Sequence, residues 1–475
     1  MNRPMRYRAC MALLLLLAAP LRTASAHAHL VRSQPAADAR VAAPSALSLT
    51  FSEALTVALC RVSLVDAAGN AVSLGTVAAD SRDIKTLSVP IRTALAPGRY
   101  VVKWQVAGAD GHPARGQFAF DVEAAAPGKV GGNAERRLLL GGAAFAFPFM
   151  PLMRTLFSQA AEEADFTVES PAYVVVRAVQ STALVVLLGV LSLHFLIVPR
   201  AARRIADAGG TAIPMPEGLG WATAALLLLL LVTCTRLAAQ YVAFFGVTES
   251  PTRASVHALL TNSMWAYGWW LALGSTIGGL WSTRRIRRSS RAGWLGLAIS
   301  AGGFVLSLAL SGHAAASSGL AMAIHALHVL GAGGWIGSLA AVMLVAVPTL
   351  ARAQDDVRDA HLAALVRAFS PIALACAGVI AGTGVLAASR NLGSVSALWQ
   401  ARYGQVLLVK MAVLSVTAAT GFYNWRAVQP ALSTATATAR LRRSATIELA
   451  AALLVLMVTA VLVATPMPVE MLQTS

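Results

Sequence analysis

Two short stretches of this chain hold side chains able to chelate a metal ion. Residues 24–30 read ASAHAHL and residues 110–113 read Asp-Gly-His-Pro. The first stretch closes a leader. Arg3, Arg6 and Arg8 precede an apolar run around residues 13–17, and Ala24-Ser25-Ala26 has the small-x-small form of a signal-peptidase site. The apolar run is too short to cross about 30 Å of hydrocarbon. Cleavage after Ala26 makes His27 the first residue, with a free main-chain amine and an imidazole on one residue. These two nitrogens can close a chelate, which an internal histidine, whose main-chain nitrogen is an amide, cannot do. Copper(II) favours such nitrogen-rich, tetragonal donor sets. An uncleaved anchor, or a histidine left there incidentally by the peptidase, are the alternatives that this stretch alone leaves open.

Asp110 and His112 fall between two predicted strands, so a turn presents both at the rim of whatever fold those strands build. Joined to His27 they complete a set of three nitrogens and one carboxylate. The elements that must position them run from residue 27 to 123. Short alternating runs at 47–51, 62–65, 87–89, 100–106 and 117–122 are separated by turn sequences such as Asp66-Ala67-Ala68-Gly69-Asn70 and Ala96-Pro97-Gly98. Period two with this punctuation predicts a small β-sandwich. Cys60 is the only cysteine within it, so no disulfide framework is expected.

Composition places the rest in a membrane. The 475 residues are 57% hydrophobic and 12% charged, a balance of polytopic membrane proteins. After a small, polar linker at 124–137, apolar runs at about 172–198, 221–246, 263–282, 292–311, 320–348, 369–389, 403–425 and 445–465 are each long enough to cross a bilayer as a helix. The formal charge of +17 reads as topology rather than as affinity for nucleic acid. Alternate loops hold Arg200, Arg203 and Arg204; Arg284, Arg285, Arg287, Arg288 and Arg291; Arg352, Arg358 and Arg367; and Arg426, Arg440, Arg442 and Arg443. The opposite loops hold only Arg253, Arg390 and Arg402. The positive-inside rule then puts the sandwich and the C-terminus outside the cytoplasmic membrane. By the same rule residues 138–153, which contain Pro148 and Pro151, lie on or dip into the outer face instead of spanning it.

The sandwich segment resembles the CopC periplasmic copper-binding proteins. The resemblance is carried, in order, by the terminal His27, by His29 to Pro35 in a His-x-x-x-x-x-Pro pattern, by Phe51-Ser52-Glu53, by Trp104, and by Asp110 to Pro113. It implies a Greek-key sandwich of cupredoxin-like or immunoglobulin-like type. It also implies a copper(II) site made by the His27 amine and imidazole, His112 and Asp110, with Glu53 as a ligand or close partner. Residues 27–149 contain no methionine, so a methionine-rich copper(I) site is not expected there.

The helical half resembles the CopD family of inner-membrane copper-transport proteins through SGHAAASS (311–318), HALHVLGAGGWIGSL (325–339), AFSPIALACAGVIAGTGVL (368–386) and YGQVLLVK (403–410). His325 and His328 share one helix face by their i, i+3 spacing. With Met322 and His313 they form an expected metal entry on the outer side, and His257 is a further outer-loop histidine. Histidines at one depth of a bilayer usually mark a pathway, although helix packing also accommodates a lone histidine. His194 and His361 are candidates for inner-side exit. Arg236 and Lys410 read as pairing or anchoring residues, and Met467, Glu470 and Met471 as an external tail.

The expected fold class is therefore mixed: an all-β Greek-key sandwich followed by an all-α polytopic bundle of about eight helices. The expected divisions are a signal peptide (1–26), the sandwich (27–123), a linker and outer-face segment (124–171), the membrane domain (172–465) and a tail (466–475). The expected role is copper handling by transport rather than catalysis, and the expected partners are copper ions, the lipid bilayer and other periplasmic copper proteins. Two alternatives remain at this stage: a histidine-brace copper oxygenase, and a haem-bearing redox carrier.

Overall fold

Alternation along Ala46–Phe51 drives Leu47, Leu49 and Phe51 to one face, where none is more than 1% exposed. Full burial of each such side chain contributes about 1.5–3 kcal/mol. The computed structural model describes residues 28–108, 113–123, 171–210, 212, 218–246, 252–261, 263–312, 319–350, 355–424, 426 and 435–465. The expected leader, the linker and outer-face segment up to residue 170, and the tail from 466 lie outside the described residues. So do His27, Asp110, His112 and His313.

Among the described residues, nine strands build the sandwich: β1 (Leu30–Gln34), β2 (Arg40–Val41), β3 (Ala46–Phe51), β4 (Arg61–Asp66), β5 (Ala71–Val72), β6 (Ala78–Ala79), β7 (Thr86–Pro90), β8 (Gly98–Ala107) and β9 (Pro113–Val122). One sheet has the order β1-β3-β7-β6 and the other β2-β9-β8-β4-β5. The chain crosses repeatedly between the sheets, as a Greek-key sandwich requires. Leu47, Leu49, Phe51, Leu64, Leu87, Val102 and Phe120 fill the space between them. Each alternating run read from the sequence falls on a strand.

Trp104 and Gly116 are cross-strand partners on β8 and β9. A Cβ on Gly116 would lie 2.3 Å from the Trp104 ring, so the absence of a side chain is what lets the indole lie over the strand and meet Phe51 edge-on at 5.1 Å. We expect Gly116→Val to destabilise the sandwich by about 1–3 kcal/mol, the usual cost of overpacking. Urea unfolding of residues 27–123 followed by Trp104 fluorescence measures it, and an unchanged midpoint would show that the indole has room elsewhere.

The helical half contains α1 (Tyr173–Asp207), α2 (Leu219–Phe245), a short α3 (Arg253–Leu260), α4 (Met264–Arg287), α5 (Arg291–Leu310), α6 (Gly319–Leu350), α7 (Asp355–Leu392), a short α8 (Ala397–Gln400), α9 (Arg402–Tyr423) and α10 (Ala435–Val463). Among the described residues, seven of these helices are long and apolar enough to cross a membrane. The eighth expected span is present as α4, a 24-residue helix. Its tryptophans, glycines and hydroxyl residues lower its hydropathy. Small residues on both helices let it pack closely on α5: a Cβ on Gly268 of α4 would lie 2.9 Å from the Ser307 carbonyl oxygen, and one on Gly303 of α5 2.5 Å from Ser275 Oγ. Small residues commonly bring membrane helices together in this way.

Wide π-helical turns interrupt α1 at Leu193–Ile197 and α6 at Gly333–Gly337 and Val342–Ala346. The two helices meet glycine to glycine, since a Cβ on Gly189 would lie 2.0 Å from the Gly337 carbonyl oxygen. Arg236 is buried in α2 and donates from Nη2 to Ser311 Oγ at 2.8 Å.

Candidate metal centre

Three separate parts of the sandwich converge at one of its ends. The start of the described chain is tied to the segment after β3, because the His29 amide donates to Ser52 Oγ at 3.1 Å and the Ser52 amide donates to the His29 carbonyl at 3.0 Å. Glu53 follows directly and is half-buried. Leu55 then bridges Gly108, and the Thr56 amide donates to the Ala107 carbonyl at 2.9 Å. Ala107 in turn pairs with Pro113 to close the β8–β9 hairpin. The residues flanking His27, those flanking Glu53 and those flanking Asp110 and His112 are thereby held together by backbone bonds. Backbone bonds between paired strands place a loop more firmly than side-chain contacts do.

Cys60 lies at the same end but is chemically quiet. It is buried, and its thiol lies 3.4 Å from the Thr56 carbonyl, to which it donates. Burial pushes the thiol pKa up to about 11. At neutral pH the thiolate that a metal needs is scarce, which leaves nitrogen and carboxylate donors for this end of the fold.

This end also rests on the helices. Gln105 Nε2 donates to the Phe244 carbonyl at 2.8 Å and Arg115 Nη2 to the Ala243 carbonyl at 2.6 Å, while Arg115 Nε donates to Gln105 Oε1 at 3.1 Å. The Arg61 guanidinium lies 4.7 Å from the centroid of the Phe245 ring. Leu59 and Ala107 join the cluster formed by Val242, Phe244, Trp265 and Trp269. The last carbonyls of a helix lack intrahelical partners and carry the negative end of its dipole. The sandwich therefore caps α2 with a cation and an amide, and Gly246, at a φ of 78°, ends the helix there.

Within the bundle, His325 and His328 stand in the half of α6 nearest the sandwich, with Met322 one turn earlier. Met322 and His328 are half-buried and His325 is exposed. His328 Nδ1 lies 2.9 Å from Thr383 Oγ1 on α7, and that hydroxyl donates to the Val379 carbonyl at 2.6 Å. With its proton so committed, the hydroxyl accepts from His328 Nδ1–H, which leaves Nε2 with its lone pair free for a metal. Partners of this kind orient ligating imidazoles. Lys410, on α9, is near enough for its charge to act on both rings. Neither Thr383 nor the proximity of Lys410 was foreseen from the sequence.

The other histidines separate from this pair. His257 is exposed on α3. His194 stacks on Trp294 with ring centroids 3.7 Å apart, a packing role. His361 is 2% exposed. Among the described residues no three of His, Cys, Asp and Glu stand close enough together to hold a metal ion. Of the four residues expected in the sandwich site only Glu53 is described, and of the membrane set Met322, His325 and His328 are.

Comparison with known proteins adds the decisive observation. Residues 30–123 match the CopC domain family, residues 167–323 the N-terminal domain of copper resistance protein D-like proteins, and residues 363–462 copper resistance protein D. Protein YobA of Escherichia coli (strain K12) is 36% identical over 99 residues, covering 21% of this chain and 80% of its own. The chain belongs to the CopC and CopD copper-resistance families. Copper resistance protein C of Xanthomonas campestris pv. juglandis is 33% identical over 124 residues, 25% of this chain and 98% of that protein. The copper transport protein CutJ of Bacillus subtilis (strain 168) is 25% identical over 404 residues, spanning 84% of this chain and 67% of its own. The CopC domain and the CopD half thus occur here in one multi-pass membrane chain of a copper-handling family, in the order the sequence predicts.

Proposed function

We propose that this CopC–CopD chain captures copper(II) outside the inner membrane and carries copper inward through its helical half, contributing to copper homeostasis or resistance. Capture falls to the His27 amine and imidazole, His112 and Asp110, with Glu53 beside them. Entry to the bundle falls to His325 and His328, with Met322 and His313 on the outer side. The observation that carries this reading is the seating of the sandwich. The end where the chain start, Glu53 and the β8–β9 hairpin converge is the end that caps α2, and α6 holds its histidines in the half of the bundle nearest to it. A metal released from such a site enters the bundle without crossing bulk solvent. The arginine asymmetry of the loops supports an external sandwich.

Proteoliposomes containing the mature full-length protein test this. Copper supplied outside is expected to enter the lumen faster than in protein-free vesicles, and equal rates would end the transport reading.

A further inference from the structure

A second polar group lies at the opposite end of the bundle from the histidines. Glu448 stands near the start of the apolar window of α10 and is only 4% exposed. Asn424, which caps α9, donates from Nδ2 to Glu448 Oε2 at 3.1 Å, and the hydroxyl of Ser444 donates to Asn424 Oδ1. Gly421 faces the other carboxylate oxygen, where a Cβ would lie 2.8 Å from Oε1. Glycine therefore leaves room at the oxygen that Asn424 does not reach.

Among the described residues, the charged and titratable groups on the elements packed around Glu448 stand elsewhere. Arg443 on α10 and Tyr423 on α9 are exposed. Lys410 precedes Asn424 by fourteen residues, roughly 21 Å along the helix. His194, beyond the adjoining part of α1, is stacked on Trp294, Arg177 is near the far end of α1, and Ser338–Ala341 of α6 carries no titratable side chain. Among the described residues no Lys, Arg or His stands within ion-pair distance of Glu448. An ionised carboxylate removed from water with one neutral donor requires a cation or a proton beside it. The donors present are carboxylate, amide and hydroxyl oxygens, a hard set that suits neither copper(I) nor other soft ions. A single carboxylate balances one positive charge.

We infer that Glu448, Asn424, Ser444 and Gly421 form a site for one small, hard monovalent cation, a proton or a sodium ion, separate from the histidine pair. The site stands on its own geometry. Its use as the coupling ion for copper movement rests on the transport reading above, which otherwise lacks a driving force.

Infrared difference spectroscopy on the full-length protein in lipid tests the site directly. In sodium-free buffer, acidification is expected to raise the carbonyl stretch of a protonated carboxyl, absent in Glu448→Gln and displaced in Glu448→Asp, which keeps the acid if the glutamine variant fails to fold. In the sodium arm, sodium chloride at alkaline pH is expected to shift the carboxylate stretch of the wild type if sodium is the ion, and to leave it unchanged if the ion is a proton. A folded Glu448→Asp protein with the wild-type spectrum in both arms overturns the inference. In proteoliposomes an imposed pH or sodium gradient is expected to change copper flux at least tenfold more in wild type than in Glu448→Gln. Copper flux without any carboxyl signal would remove the site and leave transport standing. A carboxyl signal without copper flux would do the reverse.

Discussion

Full-length protein carrying both His325→Ala and His328→Ala is expected to bind copper(II) on its sandwich as the wild type does, yet to lose copper flux into proteoliposomes by more than about 100-fold. Changes to groups that merely orient a metal ligand cost about 10–100-fold, and removal of both imidazoles takes away the donors themselves. The Thr383 hydroxyl gives a graded companion. It accepts from His328 Nδ1–H and so holds the ring with Nε2 free. Thr383→Val keeps the shape and removes the hydroxyl, and a loss of about 10–100-fold is expected. Helix packing alone would instead predict a neutral isosteric valine and a poorly folded double alanine variant. Retained copper(II) binding on the sandwich separates loss of the pathway from loss of the protein.

The second large effect belongs to the sandwich. His112→Ala and Asp110→Ala are each expected to weaken copper(II) binding by more than about 100-fold, again beyond the cost of an orienting group. Glu53→Gln is expected to cost no more than about 10–100-fold if the carboxylate supports the site from beside it. Competition titration against a chelator of known affinity measures all three. Equal losses for Glu53→Gln and Asp110→Ala would make Glu53 a full ligand.

Much of the fold was legible because local periodicity reports local structure. The alternation in residues 47–51 placed β3 with its inward face, and the apolar runs placed each long helix. The runs misjudged α7, whose first turns are polar and extend into the loop expected at 355–368. They also took α4 as an ordinary span, although its tryptophans and glycines serve packing more than hydropathy.

What the sequence hid were contacts between distant segments. Gln105 and Arg115 read as ordinary residues of a hairpin, and only the fold brings them to the end of α2, more than a hundred residues away. Thr383 reads as one hydroxyl among many in an apolar helix, and Lys410 as a pairing or anchoring residue. Glu448 was the most findable of the missed residues, being an acid within an apolar run, a position that carries a cost in lipid and usually a role. Its partner Asn424 lies beyond the motifs by which the CopD half resembles its family, and nothing in the spacing links the two.

The central claim is that the amine released at His27 is itself a copper ligand. Electron paramagnetic resonance of the copper(II)-loaded mature protein, compared with a chain carrying one glycine before His27, tests it most directly. The inserted residue keeps every side chain and converts the amine into an amide. The account predicts loss of one nitrogen's hyperfine coupling and a large fall in affinity. Superimposable spectra and equal affinities would contradict it.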